Sequence, residues 1–283
     1  MIQARTRRRM PVVMPATVHI RRSYSDCRYG QLHVATAYPS GGGFDERTGI
    51  ICLHPSGSSN RIFAPLLPEL ARDRSVYALD LPGHGQSDRA TSDLSVVDYA
   101  NAVGDFADGL RLRSFDVIGA EFGALIAAEL ALAKPQQVRR LVLSSVPYPL
   151  PQERAAMITR TAPMVPTQDG AHLIKEWERL KESRGAHVSP DAITDQLADV
   201  LRAGRQAGAA AAAMLDYPVN QRLPLIKQPV LILRTRDEFA EHIARVKSAL
   251  SRATLTDTPE SDSASFAAQP HQVTQLTREF LDR

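Results

Sequence analysis

The sequence predicts an α/β protein in which helices cover both faces of a mostly parallel sheet. Short apolar runs with strand character alternate with helical patterns along the chain, as expected for repeated β-α units. The chain has 283 residues, of which 43% are hydrophobic, and this is enough to bury one large core. A strand, a glycine-flanked turn and a helix follow one another at residues 115–130, which is the local order that a parallel sheet requires.

Each predicted strand is a short apolar run bounded by polar or turn-forming residues. Two early strands, at residues 17–22 and 31–37, are expected to form an antiparallel start. The remaining predicted strands occupy residues 50–53, 75–79, 115–118, 138–143, 229–233 and 253–259. Between 149 and 223 strand signals vanish, and helical stretches replace them at residues 171–182, 190–203 and 207–215. This interval predicts a helical insertion between two parts of one core, residues 1–148 and 224–283.

Charge and hydropathy argue against several functional classes. The formal net charge is only +3, and much of it is carried by Arg5, Arg7, Arg8 and Arg9. Residues 1–15 are expected to be a disordered leader rather than an arm that binds nucleic acid or membrane. Residues 11–20 are too short and too broken by proline to be a signal peptide or a membrane span. A cytoplasmic location without nucleic-acid or membrane partners is therefore expected.

The two cysteines do not indicate a disulfide framework or a metal site. Cys52 lies in a predicted core strand, where a thiol behaves as a small apolar side chain. Neither Cys27 nor Cys52 has histidine or cysteine neighbours at metal-ligand spacing. We therefore expect no metal and no other cofactor.

The most informative local feature is the segment Gly119-Ala120-Glu121-Phe122-Gly123. An apolar run precedes it, and the helix-forming run 124–130 follows it. This is the context of a nucleophile elbow, G-x-S-x-G, in which the glycines permit a strained turn that exposes the central side chain. Here Glu121 stands at the central position in place of serine.

Two further motifs lie where they would support such an elbow. Residues 54–59, with the sequence HPSGSS, follow one predicted strand, and residues 80–88, with the sequence DLPGHGQSD, follow the next. Together with the elbow they resemble the α/β-hydrolase superfamily over nearly the whole chain, in the capped layout of haloalkane dehalogenases and epoxide hydrolases. The resemblance implies an α/β-hydrolase fold with an eight-stranded sheet, a helical cap at 149–223, and an oxyanion hole formed by the amides of Ser56 and Phe122.

The same resemblance implies an altered catalytic triad. Asp237 follows the strand 229–233 at the position of the family's acid, and counting from the strand before it and the helix after it places Ser263 where the family has histidine. A serine nucleophile needs an imidazole to take its proton and a carboxylate to orient that imidazole. Glu121, Asp237 and Ser263 are therefore the predicted site, and ordinary acyl-enzyme hydrolysis is not expected.

Three functions remain open for Glu121. Some members of the family attack an alkyl carbon with an elbow aspartate, but the missing histidine would be needed to cleave the resulting ester. Glu121 could instead exchange protons as an acid or base in lyase- or isomerase-type chemistry. In the third case the chain is an inactive homologue that binds a small ligand, and its carboxylate fills the oxyanion pocket. If Glu121 is catalytic, its side chain should face an open pocket. If the chain is an inactive homologue, the Glu121 carboxylate should be hydrogen-bonded to backbone amides.

The predicted ligand is a small apolar molecule bound at the interface between cap and core. The residues expected near it are His54, Tyr148, His172, Trp177 and Tyr217. His54 is also expected to brace the oxyanion loop, and a cap histidine, His172 or His187, could replace the triad imidazole.

Opposing electrostatic effects are expected at the elbow. Backbone amides at the start of a helix favour ionised Glu121, whereas an apolar cap and nearby Asp237 disfavour it. Repulsion between Glu121 and Asp237 should raise one of the two pKa values, with Asp237 holding the proton unless Arg234 or Arg236 turns inward.

Overall fold

The sheet of the protein has eight strands. In a computed structural model the described residues are 17–40, 47–160, 164–184, 188–258, 266 and 269–283. The strands are β1 (Val18–Cys27), β2 (Gly30–Pro39), β3 (Gly49–Leu53), β4 (Val76–Leu79), β5 (Phe115–Ala120), β6 (Val138–Ser144), β7 (Val230–Arg234) and β8 (Ala253–Asp257). They lie in the order β1-β2-β4-β3-β5-β6-β7-β8. β2 pairs antiparallel with β1 and β4, and the other neighbours are parallel, so the predicted fold class is confirmed.

Helices cover both faces of this sheet. The helices are α1 (Leu67–Leu70), α2 (Val96–Gly109), α3 (Phe122–Ala133), α4 (Pro151–Arg160), α5 (Ala171–Arg184), α6 (Pro190–Ala203), α7 (Arg205–Asp216), α8 (Val219–Arg222), α9 (Ile243–Ala249) and α10 (Pro270–Leu281). One buried cluster joins the sheet to α2 and α3, and a second joins it to α1 and α10. Because α3 is apolar on all sides, it is buried along most of its length.

The first hairpin is longer than the sequence predicts. β1 pairs with β2 over its whole length, from Val18 opposite Pro39 to Cys27 opposite Gly30. Gly30 has a φ of 108°, and a Cβ there would lie 2.7 Å from Asp88, so the turn depends on glycine. Most side chains of β1 are exposed, and the apolar alternation that marks a half-buried strand is therefore missing from its sequence.

Helices fill the interval between β6 and β7, and no strand lies within its described residues. α6 begins and ends where the sequence predicts, at Pro190 and Ala203. α4 was not predicted, because the sequence PYPLP at 147–151 indicates a break in structure. Pro151 is nevertheless the first residue of α4, where a missing N–H costs nothing, and the Glu153 carboxylate accepts a hydrogen bond from the Leu150 N–H at 2.7 Å. The division of the chain into core and cap stays a prediction.

The topology brings four loops to one edge of the sheet. β3, β5, β6 and β7 are consecutive parallel neighbours, so their carboxyl ends lie side by side. The loops that leave these ends carry Ser56, Glu121, Ser145 and Asp237 in that order. This edge is the usual ligand-binding side of a doubly wound sheet.

Candidate functional site

Glu121 lies in the sharp turn between β5 and α3. Its φ is 50° and its ψ is −111°, a conformation that is unfavourable for a residue with a Cβ. A Cβ on Gly119 would lie 2.5 Å from the carbonyl oxygen of Gly123, and a Cβ on Gly123 would lie 2.1 Å from the carbonyl oxygen of Leu53. Close backbone approach therefore explains both glycines of the motif.

We expect Gly123→Ala to be strongly destabilising. The added methyl group would overlap backbone atoms of Leu53 and His54, which cannot move without breaking the β3–β5 pairing, and a loss of about 3 kcal/mol in the free energy of unfolding is expected. Urea denaturation measures it. The matched control is Gly109→Ala at the end of α2, where a Cβ would meet nothing within 4 Å. Equal stability of the two variants would contradict the close approach.

The carboxylate of Glu121 accepts hydrogen bonds from the loop that follows β3. Its Oε2 accepts a hydrogen bond from the Ser56 backbone N–H at 2.7 Å, and its Oε1 accepts one from the Ser56 hydroxyl at 3.0 Å. The backbone N–H of Phe122 lies close enough to favour the ionised form of the carboxylate. The resemblance implies Ser56 and Phe122 as the residues of an oxyanion hole. If they form one, the Glu121 side chain occupies hydrogen-bond donors that a substrate oxygen would need.

His54 holds the loop that carries Ser56. Its ring is fully buried, and its Nε2 accepts the Leu81 backbone N–H at 3.0 Å. The proton of the neutral ring must then sit on Nδ1, which donates to the Pro55 carbonyl at 2.7 Å. Burial lowers the pKa of His54 and keeps it neutral. Both ring nitrogens are engaged, so the structure favours the bracing role of His54 over the predicted ligand contact.

Burial raises the pKa of Glu121 to about 7, although hydrogen bonds from Phe122 and Ser56 oppose the shift. The carboxylate that adds to this increase is Glu238, next to Asp237 in the chain. Burial thus outweighs the elbow amides, contrary to the sequence expectation, and the charge of Glu238 adds to the shift. The coupling between Glu121 and Asp237 stays a prediction. Glu121 is thus poised to hold its proton near neutral pH.

Arg179 is a cation near Glu121 that no motif in the sequence marks. It pairs with Glu176 on the same helix, α5, with a distance of 2.9 Å between its Nε and the glutamate Oε2. The charges of Glu238 and Glu121 also contribute to raising the pKa of Arg179. Charged residues at 175–182 are typical of a solvated helix face, and Arg179 is exposed, but Glu176 is buried. The spacing of three residues between Glu176 and Arg179 is the only sequence signal of this ion pair. Ordinary surface helices have the same spacing, so the signal does not mark a site.

Asp237 has three donors of its own. Its Oδ2 accepts the Thr235 hydroxyl at 2.7 Å and also a hydrogen bond from the Ser145 hydroxyl, and its Oδ1 accepts the Phe239 N–H at 2.9 Å. Ser145 has a positive φ of 53°, and the residue before it accepts the Glu121 backbone N–H at 3.1 Å. Two adjacent residues at the end of β6 therefore contact both acids: Ser144 binds the Glu121 backbone, and Ser145 binds the Asp237 carboxylate. Ser263 lies outside the described residues.

The predicted ligand contacts have other partners in the structure. The Tyr217 hydroxyl donates to Glu129 at 2.9 Å, and Arg222 pairs with the same carboxylate. His172 accepts the Thr167 N–H at 3.0 Å and so closes the turn before α5. Both side chains thus have structural partners, and their contact with a ligand stays a prediction.

Tyr148 and Trp177 complete the predicted set of contacts. Tyr148 lines a separate cavity of about 440 Å³ with Pro224, Arg245 and Ser248, none of which belongs to the Glu121 site. Trp177 is half-buried on α5. His187 lies outside the described residues, as does the predicted leader at 1–15.

Within the described part of the chain, no cluster of three or more histidine, cysteine or acidic residues could hold a metal ion. Among the same residues no helix is long and apolar enough to cross a membrane.

The chain is similar to several known proteins. The sequence model of the alpha/beta hydrolase family matches residues 50–276. A 2-hydroxymuconate semialdehyde hydrolase of Pseudomonas sp. strain CF600 is 37% identical over 123 residues, which are 40% of this chain and 41% of that protein. An uncharacterized protein of Mycobacterium tuberculosis is 35% identical over 96 residues, 34% of this chain and 28% of that protein.

Among solved structures, the enol-lactonase from Burkholderia xenovorans LB400 superposes with a TM-score of 0.77 at 15% identity, covering 92% of this chain and 100% of that chain. At this identity the likeness is one of fold. The matches to the Pseudomonas and Mycobacterium relatives span less than half of the length of those two proteins. Their activities therefore do not transfer directly to this chain. The match of the family model to most of the sequence, together with the strand order and the elbow, shows that this chain belongs to the alpha/beta hydrolase family.

Proposed function

We propose that this protein binds a small apolar molecule and lacks hydrolysis by a Ser-His-Asp triad. The observation that supports the proposal is the pairing of the Glu121 carboxylate with Ser56 and Phe122. In serine hydrolases such amides stabilise the negative oxygen that develops in the transition state. Here the Glu121 carboxylate accepts hydrogen bonds from both the N–H and the hydroxyl of Ser56, so a substrate oxygen would first have to displace this buried group.

The same contacts argue against Glu121 as a nucleophile. Both of its oxygens accept hydrogen bonds from Ser56, and an acceptor held by several donors has less electron density for attack on an alkyl carbon. An alkyl-enzyme ester would also lack an imidazole to activate water, because Ser263 occupies the aligned position. We therefore do not favour this route.

Acid-base catalysis is the second candidate function, and one observation favours it. The pKa of Glu121 lies at about 7, where a carboxyl group can both give and take a proton at neutral pH. In that case Glu121 would have to leave Ser56 or share it with the substrate during the reaction.

The helices between β6 and β7 are the proposed cap over the ligand. A Cβ on Gly57, next to Ser56, would lie 3.4 Å from Val200 on α6 and 3.5 Å from Ala207 on α7. The Ser59 hydroxyl donates to Asp199 on α6 at 2.7 Å. These contacts support a position of the cap directly over the oxyanion loop, and we propose that the ligand binds between the two.

We expect the protein to bind members of a panel of esters, lactones, epoxides and haloalkanes without converting them. Two measurements on the same samples test this: the melting temperature with and without each compound, and product formation followed by chromatography. Thermal stabilisation with no product above the protein-free rate is expected for the parent and for Glu121→Gln, because an apolar ligand does not need the charge.

Several results would contradict this expectation in distinguishable ways. Many turnovers that Glu121→Gln abolishes would establish the acid-base function instead. One alkyl group on Glu121, detected by peptide mass spectrometry, would establish the nucleophile. Ester cleavage that survives Glu121→Ala would place the reactive group elsewhere in the chain.

A further inference from the structure

Strand β1 forms one edge of the sheet and has a single partner strand, β2. Most of its side chains are exposed on both faces. Ile20 is 50% exposed and Tyr24 is 56% exposed. Because side chains alternate along a strand, these two share a face with Arg22, which lies between them. The edge of the sheet therefore presents an isoleucine and a tyrosine on either side of a guanidinium group.

Positive charge is concentrated at the N-terminal end of the sequence. Residues 1–28 contain seven arginines and one acidic residue, whereas the formal net charge of the whole chain is +3, so the remainder is net acidic. Among the described residues, Arg21 and Arg22 form no ion pair, whereas Arg28 pairs with Asp105 at 2.8 Å. The guanidinium of Arg21 instead lies 5.6 Å from the centre of the Tyr38 ring.

We propose that the β1 surface, defined as Ile20, Arg22 and Tyr24 on one face of the strand together with Arg21 on the opposite face, docks edge-on on an anionic lipid bilayer. Arginines near an anionic bilayer surface gain electrostatic attraction, and several together are needed for stable attachment. Tyrosine prefers the interfacial region, where its ring is in an apolar layer and its hydroxyl is in water.

A bilayer fits this surface better than a nucleic acid does. Phosphate backbones are bound by arginine and by polar donors, and exposed Ile20 contributes nothing to such contacts. In the headgroup region of a bilayer, Ile20 and Tyr24 both lose water-exposed apolar area. The proposal goes beyond the ligand site and replaces the expectation that the protein has no membrane partner.

Sedimentation with vesicles tests the proposal on the full chain. The vesicles are phosphatidylcholine alone, or phosphatidylcholine with about 30% phosphatidylglycerol, a fraction that gives a strong negative surface potential. The protein is expected to sediment with the anionic vesicles at low salt and to be released by high salt. Arg21→Glu with Arg22→Glu should weaken this binding about tenfold or more, and Ile20→Ser with Tyr24→Ser should weaken it severalfold at unchanged net charge.

The matched control is Lys175→Glu with Lys181→Glu, two exposed positions on α5 that give the same change in net charge. An unchanged melting temperature shows that each variant is folded. The proposal is overturned if the control loses as much binding as the β1 variant, if neutral vesicles bind equally well, or if nothing sediments at low salt. Tighter binding of a short DNA duplex that displaces the vesicles would assign the surface to nucleic acid and also overturn it.

Discussion

Glu121→Ser combined with Ser263→His is expected to convert this protein into an esterase. The first substitution supplies the hydroxyl and removes the carboxylate that engages Ser56 and Phe122. The second supplies an imidazole at the position aligned with the family's histidine, and Asp237 is already present to orient it. Because a positioned base contributes about 10²–10⁴-fold, the double variant should cleave 4-nitrophenyl acetate at least about 10²-fold faster than either single variant.

Two controls make the result specific to the site. Adding Asp237→Asn should remove most of the gain, because the imidazole then loses the carboxylate that orients it. Moving the imidazole by one position, with Asp262→His in place of Ser263→His, should give no gain. A folded double variant that is no faster than Glu121→Ser alone would show that Ser56 and Phe122 do not form a usable oxyanion hole.

The fold was predictable because its signals are local. Gly119 and Gly123 permit a close backbone approach, such as the 2.1 Å that would separate a Cβ on Gly123 from the Leu53 carbonyl oxygen. In the turn at 80–88, Gly83 and Gly85 adopt positive φ values of 76° and 53°. The capping box that begins α2, Ser95 with Asp98, is a local sequence signal of the same kind.

The site was only partly predictable, because its details depend on which side chains meet in space. The resemblance implied Ser56 and Phe122 as amide donors, and the possibility that Glu121 fills their pocket was left as one of three alternatives. The charge of Glu238 raises the pKa of Glu121 because the fold brings the two residues near each other. No sequence spacing between them predicts this effect. The sequence placed Tyr217 near the ligand, but a buried hydroxyl takes the nearest strong acceptor, and here that is Glu129.

Glu121→Gln is expected to stabilise the protein at pH 8 and to have little effect at pH 5. The pKa of Glu121 is about 7 in the folded chain, against 4.5 for an unperturbed glutamate, so the folded state binds the proton more tightly than the unfolded state does. The stabilisation from this proton is complete below about pH 4.5 and is lost as the pH rises through about 7. The parent therefore loses roughly 2 to 3 kcal/mol between pH 5 and pH 8 from this group, and the glutamine variant does not.

Thermal melts of both proteins from pH 5 to pH 8 measure the difference, which should reach several degrees at the upper end. Glutamine keeps an oxygen that can accept the Ser56 N–H, so the hydrogen bond at 2.7 Å is retained in the variant. Glu182→Gln, at an exposed position on α5, controls for the loss of one negative charge and should follow the parent at every pH.

If Asp237→Asn abolishes the pH dependence of the parent, the carboxylates of Glu121 and Asp237 are coupled, as the sequence suggested. If the Glu121→Gln difference is the same at pH 5 and pH 8, Glu121 is ionised throughout, because the amides of Ser56 and Phe122 then outweigh its burial.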